Sequence, residues 1–147
     1  MDKSNIKIGE NDIKPTDMDR VNHLLKQLSP SSPALDFSSI DEAMRTGIIL
    51  TLRDASQDDI LVGMGMLIPV QKLFYLRGDI EEIVVDQAYR GLGLGRQIVT
   101  SLVEKSQDMG MKYVALTSSP NRVEANGLYR SIGFGIPETN LYRLYNK

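Results

Sequence analysis

Ile6 and Ile8 alternate with polar neighbours within Asn5–Gly9, the period-two pattern of a short strand. Met18, Val21, Leu24, Leu25 and Leu28 follow at spacings that build one apolar helical stripe. Thr16 after Pro15, with Asp19 three residues on, gives that helix a capping-box-like start. Ser29-Pro30-Ser31-Ser32-Pro33 ends it as a loop, and Ser39–Arg45 fits a short second helix. Gly47–Arg53 and Ile60–Val70 read as strands joined by the polar turn Asp54–Asp59, a hairpin. Phe74–Asp86 is rich in Ile and Val, long for a strand, and runs into a glycine-rich stretch. Beyond it Leu94, Ile98 and Leu102 recur at helical spacing as far as Gly110, a good stop. Lys112–Thr117 is a strand, and Asn121 with Glu124 caps a helix carrying Ala125, Leu128, Tyr129 and Ile132, stopped by Gly133. Leu141–Tyr145 is a closing strand.

The predicted order is about β-α-α-β-β-β-α-β-α-β, an α/β fold with a mixed central sheet flanked by helices, in a single domain over residues 1–147. Its 147 residues, 41% hydrophobic and 24% charged, suit one globular core. A net charge of −2 gives no electrostatic footprint for nucleic acid or an anionic membrane. Zero Cys excludes disulfides, thiolate nucleophiles and Cys-ligated metals, and one His excludes a two-His metal site, so no metal is expected. The charged start lacks the apolar core of a secretory signal, and no apolar run reaches the ~20 residues of a membrane span. A cytoplasmic location is the default expectation.

The chemistry sits at Arg90-Gly91-Leu92-Gly93-Leu94-Gly95-Arg96, between the long strand and a helix. The first N–H groups of a helix lack internal partners and carry about half a positive charge, so they attract anions. Gly91, Gly93 and Gly95 remove side chains that would hold a phosphate away, and Arg90 and Arg96 add charge at the rim. A dinucleotide-binding G-x-G-x-x-G from Gly91 would need glycine where Arg96 stands, and a Walker loop would not end Gly95-Arg96-Gln97.

The remaining pattern, Arg90-x-x-Gly93-x-Gly95, resembles the acetyl-CoA loop of the GNAT superfamily of N-acetyltransferases, [RQ]-x-x-G-x-[GA]. A second stretch within 121–134, Ala125-Asn126-Gly127-Leu128-Tyr129-Arg130-Ser131-Ile132-Gly133-Phe134, is similar to the family's A-N-x-L-Y-x-x-x-G-F. Together the two cover Ile80–Phe134 in the family's order, with a strand between. The resemblance implies transfer of an acetyl group from acetyl-CoA, a co-substrate, to a primary amine by direct attack on the thioester. An amine of pKa ~10.4 benefits from a base at neutral pH. Asp79, Glu81 and Glu82 supply carboxylates at the position where the family places one, and Glu81 ranks first. Period-two geometry puts Asp79 and Glu81 on one face with Ile83, and Glu82 on the other with Ile80 and Val84. Family strands often bulge here, which would shift the parity after Glu82.

The resemblance further implies that the main chain of Ile83, Val84 and Val85 pairs with the pantetheine arm and polarises the thioester carbonyl. Tyr129 would donate to the leaving sulfur, and Asn126 would hold the pantetheine amide. Where many members place an Asn seven residues before the tyrosine this chain has Arg122; Asn121 is adjacent and serves either the cofactor or the helix cap. Gly127 within a helix suggests close approach by another group. His23 falls off the first helix's stripe, at the surface or beside the acceptor. The amine would enter between the first helices and the C-terminal strand. Ile80-Glu81-Glu82 ahead of Val84-Val85 looks like the glucosamine-phosphate acetyltransferase branch, a local similarity. A small amine is the expected partner, and homodimers are common in the family. The competing readings are a protein N-terminal or lysine acetyltransferase and a non-catalytic acyl-CoA sensor.

Overall fold

A computed structural model describes residues 2–147, which form two compact units, one ending at Thr117 and one spanning Ser118–Lys147. In the first unit five strands order as they occur: β1 (Ile6–Glu10), β2 (Ile48–Asp54), β3 (Ile60–Gln71), β4 (Leu76–Val85) and β5 (Val114–Ala115). The first four pair antiparallel, and β5 lies parallel to β4. Helices α1 (Met18–Leu28) and α2 (Phe37–Thr46) separate β1 from β2, and α3 (Leu94–Asp108) connects β4 to β5. A parallel neighbour needs such a crossover, whereas the polar turn after Asp54 suffices for the antiparallel β2–β3 hairpin.

The expected stripe of α1 is buried: Val21 and Leu24 are fully enclosed with Ile40 of α2, Ile49, Leu61, Met64 and Val84 of the sheet. The other sheet face receives α3 through Ile98 and Leu102, both inaccessible to solvent. Glycine makes that approach possible, since a Cβ on Gly65 would stand 2.5 Å from Ile98 Cγ2 and 3.2 Å from Leu102 Cδ1. A β-branched neighbour is stiff at χ1 and cannot swing aside. We expect Gly65→Ala to cost about 1–3 kcal/mol of stability in a denaturant titration, while Gly127→Ala, with open space around it, gains helix propensity instead.

Several local expectations change. A turn over Pro15–Asp17 precedes α1, and Asp17, not Asp19, closes it by accepting the Lys14 N–H at 2.8 Å. Proline has no N–H to lose at a first helical position, which moves the start upstream of Thr16. Asp17 also holds Arg53 at 2.9 Å, and this hydrogen bond first keeps its carboxyl below the usual range against a burial penalty. The strand expected over Lys112–Thr117 contracts to two residues.

In the second unit α4 spans Val123–Ile132, ended by Gly133 at φ +118°. Its N-cap is Arg122, not Asn121, and no side chain caps it. The Arg122 N–H instead closes a turn onto the Ser119 carbonyl at 3.0 Å, with Pro120 setting the φ that such a turn needs. Gly127 has nothing within 4 Å of where a Cβ would stand, so the expected close approach is absent among the described residues. Leu141–Tyr145 forms no strand, and Leu141, Tyr142, Leu144 and Tyr145 are exposed. Alternation alone does not make a strand; the ladder partner contributes the stabilisation.

Candidate active site

Antiparallel strands keep register until one inserts an extra residue, and β4 does so at its acidic stretch. Glu81 pairs with Met66 and Val84 with Met64, so Glu82 and Ile83 together oppose Gly65. Glu82 adopts φ +54°, an uncommon region for a residue with a Cβ. The bulge falls where the family resemblance implies one, and it reverses the plain period-two alternation beyond it. Val84 joins the face that packs on α1 and α2, while Ile83 turns toward Gly65 and α3. A bulge of this kind re-aims side chains beside functional sites.

The three carboxylates separate in consequence. Asp79 is ion-paired with Arg77, which leaves it a poor base candidate. Glu81 is exposed, yet partial desolvation first, then the negative charges of Glu82 and Asp79, push its carboxyl above the usual range. A raised carboxyl is the tuning a general base near neutral pH requires. Glu82 lines a cavity of about 640 Å³ bounded by α1, residues 29–35, α2 and the sheet. Asn22 and His23 line the same space, so His23 stands at this cavity's edge with a half-exposed ring.

On its other side β4 pairs with β5 only through Gly78 and Asp79, because β5 stops at Ala115. From Ile80 to Val85 that edge takes no ladder partner among the described residues. Unpaired backbone groups on a strand edge are ready hydrogen-bonding partners for an extended ligand bearing amides. Ile83, Val84 and Val85 lie on this stretch, although the Val85 carbonyl already accepts from Arg90 Nε at 3.3 Å.

The segment after β4 is locked before the glycines begin. Asp86 accepts from Arg20 at 2.6 Å and from the Ala88 N–H at 3.0 Å, and these bonds outweigh burial to hold its carboxyl low. Tyr89 donates to Asp54 at 2.6 Å; that bond and burial push its phenol up to about 12. Gly91 (φ +86°) and Gly93 (φ +76°) then carry the chain into α3, with Leu92 between them. Gly93 is the N-cap and offers no side chain to the first N–H groups, while Leu94 is buried and Gly95 lies inside the first turn. A Cβ on Gly91 would meet nothing within 4 Å, so the loop borders open space as an anion site must. Arg90 and Arg96 are exposed beside it.

Two features here have no counterpart in the sequence reading. Lys3 Nζ lies 3.9 Å from the Cβ position of Gly93, and it makes no hydrogen bond or ion pair with a described residue. Its turn is fixed by Asp2, which accepts the Ser4 N–H at 2.9 Å, and by the pairing of Ile6 with Asp54. Gln97, one turn into α3, buries an Oε1 atom that has no partner among the described residues. No local signal marks either residue, since both depend on chain segments meeting in space.

In the second unit Tyr129 is 8% exposed, with its ring edge-on to Phe134 at 6.0 Å. Its hydroxyl is not engaged by any described residue. Asn126 gives its amide N–H to the Ser119 carbonyl at 2.9 Å, which ties the turn before α4 to the helix. Asn121 is exposed within that turn. Among the described residues no cluster of His, Asp and Glu is arranged to hold a metal, and no helix is long and apolar enough to cross a membrane.

The profile of the acetyltransferase (GNAT) family matches residues 19–134. Glucosamine 6-phosphate N-acetyltransferase 1 of Oryza sativa subsp. japonica is 32% identical over 121 residues, covering 76% of this chain and 70% of the relative. The crystal structure of glucosamine-6-phosphate N-acetyltransferase from Arabidopsis thaliana superimposes with a TM-score of 0.79 at 22% identity, over 96% of this chain and 99% of that one. An aminoglycoside acetyltransferase from an uncultured soil metagenomic sample shares the fold at a TM-score of 0.79 and 14% identity, over 99% and 98% of the two chains. A profile match over most of the chain and a relative 32% identical over 76% of it place it in one family: the chain belongs to the GNAT acetyltransferases.

Proposed function

We propose that this protein is a metal-independent, cytoplasmic N-acetyltransferase that moves acetyl from acetyl-CoA to the primary amine of a small molecule, with residues 1–147 acting as one catalytic domain. The observation that carries the reading is the free edge of β4 beside the glycine turn of α3, which joins a backbone ladder for pantetheine to an anion site. The pyrophosphate lies on the N–H groups that follow Gly91 and Gly93, with Arg90, Arg96 and Lys3 supplying positive charge. Gln97 Oε1 offers an unused acceptor near the same turn. Main-chain groups of Ile83–Val85 hold the arm and polarise the thioester carbonyl.

Glu81 takes the proton that the acceptor must lose, directly or through water, and Glu82 attracts the ammonium. The neutral nitrogen attacks the thioester carbon; an N–C bond forms, the C–S bond breaks, and the sulfur receives a proton from Tyr129. Overall the ammonium and acetyl-CoA give the amide, free CoA thiol and one proton released to solvent. Asn121 and Asn126 lie on the motif that carries Tyr129 and complete the contacts to the cofactor arm, Asn126 through its carbonyl oxygen. A concave cavity of about 640 Å³, a size that suits a small ligand, favours a small acceptor over a protein chain.

The test is release of thiol from acetyl-CoA across a panel of amines that includes glucosamine 6-phosphate, the acceptor in the names of the relatives. With zero Cys the chain adds no thiol background. Acceptor-stimulated release supports the reading. Absence of release together with no thermal shift on adding CoA overturns it, and a thermal shift without turnover marks a sensor instead. Lys3→Ala is expected to raise the KM for acetyl-CoA about tenfold with kcat unchanged, the loss of one charge-assisted contact. Lys3→Arg should preserve the affinity, and the difference should shrink at high salt.

A further inference from the structure

Resting on the acetyl-transfer reading, we propose that the acceptor is a primary amine with an apolar body, an alkyl- or arylalkylamine, held in the cavity beneath residues 29–35. Six of its walls are Leu25, Leu35, Ile40, Ile49, Met64 and Met66, contributed by α1, the following loop, α2, β2 and β3. Apolar walls stabilise a ligand in proportion to the apolar surface it removes from water. They penalise hydroxyl and phosphate groups that find no partner among them. The two methionines bring flexible thioethers that shape themselves to varied apolar groups.

The charged groups divide in a way that fits an ammonium better than a phosphate. Glu82 lines the cavity with a carboxylate that bonds to no described residue, in the re-aimed position the bulge creates. The two cationic-type side chains on the lining are turned to other partners. Lys26 Nζ lies 3.5 Å from the Ser32 carbonyl, and His23 Nε2 is 3.0 Å from Gln27 and 3.5 Å from Asp86. An amine with an apolar tail therefore finds a matching charge at one wall and matching surface elsewhere. A sugar phosphate brings a dianion and several hydroxyls, and the neutral polar side chains on the lining are already engaged: Asn22 with the Leu35 backbone, Ser29 with Ser32, and Ser39 with Asp36. A cavity of about 640 Å³ holds a six-carbon chain or a phenyl ring with room to spare.

Thiol release measured on the full chain with propylamine, butylamine, pentylamine, hexylamine and 2-phenylethylamine, against ethanolamine and glucosamine 6-phosphate, decides the matter. We expect kcat/KM to rise about fourfold per added methylene until the cavity fills. 2-Phenylethylamine should exceed ethanolamine by about a hundredfold. Leu35→Gln, at a half-buried position, should lower kcat/KM for hexylamine about tenfold while leaving the KM for acetyl-CoA unchanged. A flat response to chain length, or turnover of glucosamine 6-phosphate without turnover of the alkylamines, overturns the apolar acceptor while leaving acetyl transfer intact. Absence of turnover with every amine, together with no thermal shift from CoA, removes acetyl transfer itself and this proposal with it.

Discussion

Tyr129→Phe is expected to lower kcat about a hundredfold while leaving the KM for acetyl-CoA within about twofold, the pattern of a lost proton donor. The figure lies at the low end for acid catalysis because a thiol of pKa ~8.5 leaves as thiolate more readily than most leaving groups. The defect should shrink as pH rises through that value, since the departing sulfur then needs no proton. Folding gives an independent control. The ring packs edge-on to Phe134 and Phe retains it, whereas the hydroxyl has no described partner to lose. The substitution should therefore change stability by no more than about 1 kcal/mol. An unchanged kcat would make Tyr129 a packing residue and remove it from the mechanism.

Legibility in the sequence follows how local each determinant is. The glycine turn was readable because its requirements are local: a backbone at positive φ and an absent side chain, both written in Gly91 and Gly93. The stripe of α1 was readable for the same reason, since one period specifies the buried face. The polarity of β4 was readable only through the family resemblance, which implied a bulge, and not from its own alternation. Its bulge depends on Gly65 across the ladder and on α3 behind it, so counting alternate residues from Asp79 assigns Ile83 and Val84 to the wrong faces. Asp79 differs: its partner Arg77, two residues earlier on the same face, lay within reach of the period-two pattern. Lys3 and the cavity required segments far apart in the chain to converge. Leu141–Tyr145 shows the converse failure, a locally strand-like pattern without a ladder to join.

These same contacts rank the bases, and Glu81→Gln tests the ranking. Glu81 must be deprotonated to accept a proton, so kcat/KM should rise with pH through its carboxyl. Desolvation and the neighbouring charges place that rise above the ordinary value of 4.5. Replacing the carboxyl with an amide should lower kcat/KM about 10²–10⁴-fold and abolish the carboxyl limb. The limb that remains belongs to the acceptor's own ammonium and moves when an acceptor of different pKa is supplied. Asp79→Asn is expected to lack this signature, because its carboxylate is already committed to Arg77. Glu82 provides the decisive contrast. A carboxyl limb that persists in Glu81→Gln and vanishes in Glu82→Gln would transfer the base to the bulge residue. Glu82 would then serve both the ammonium and its proton, and β4 would need its strained residue for chemistry as well as for aim.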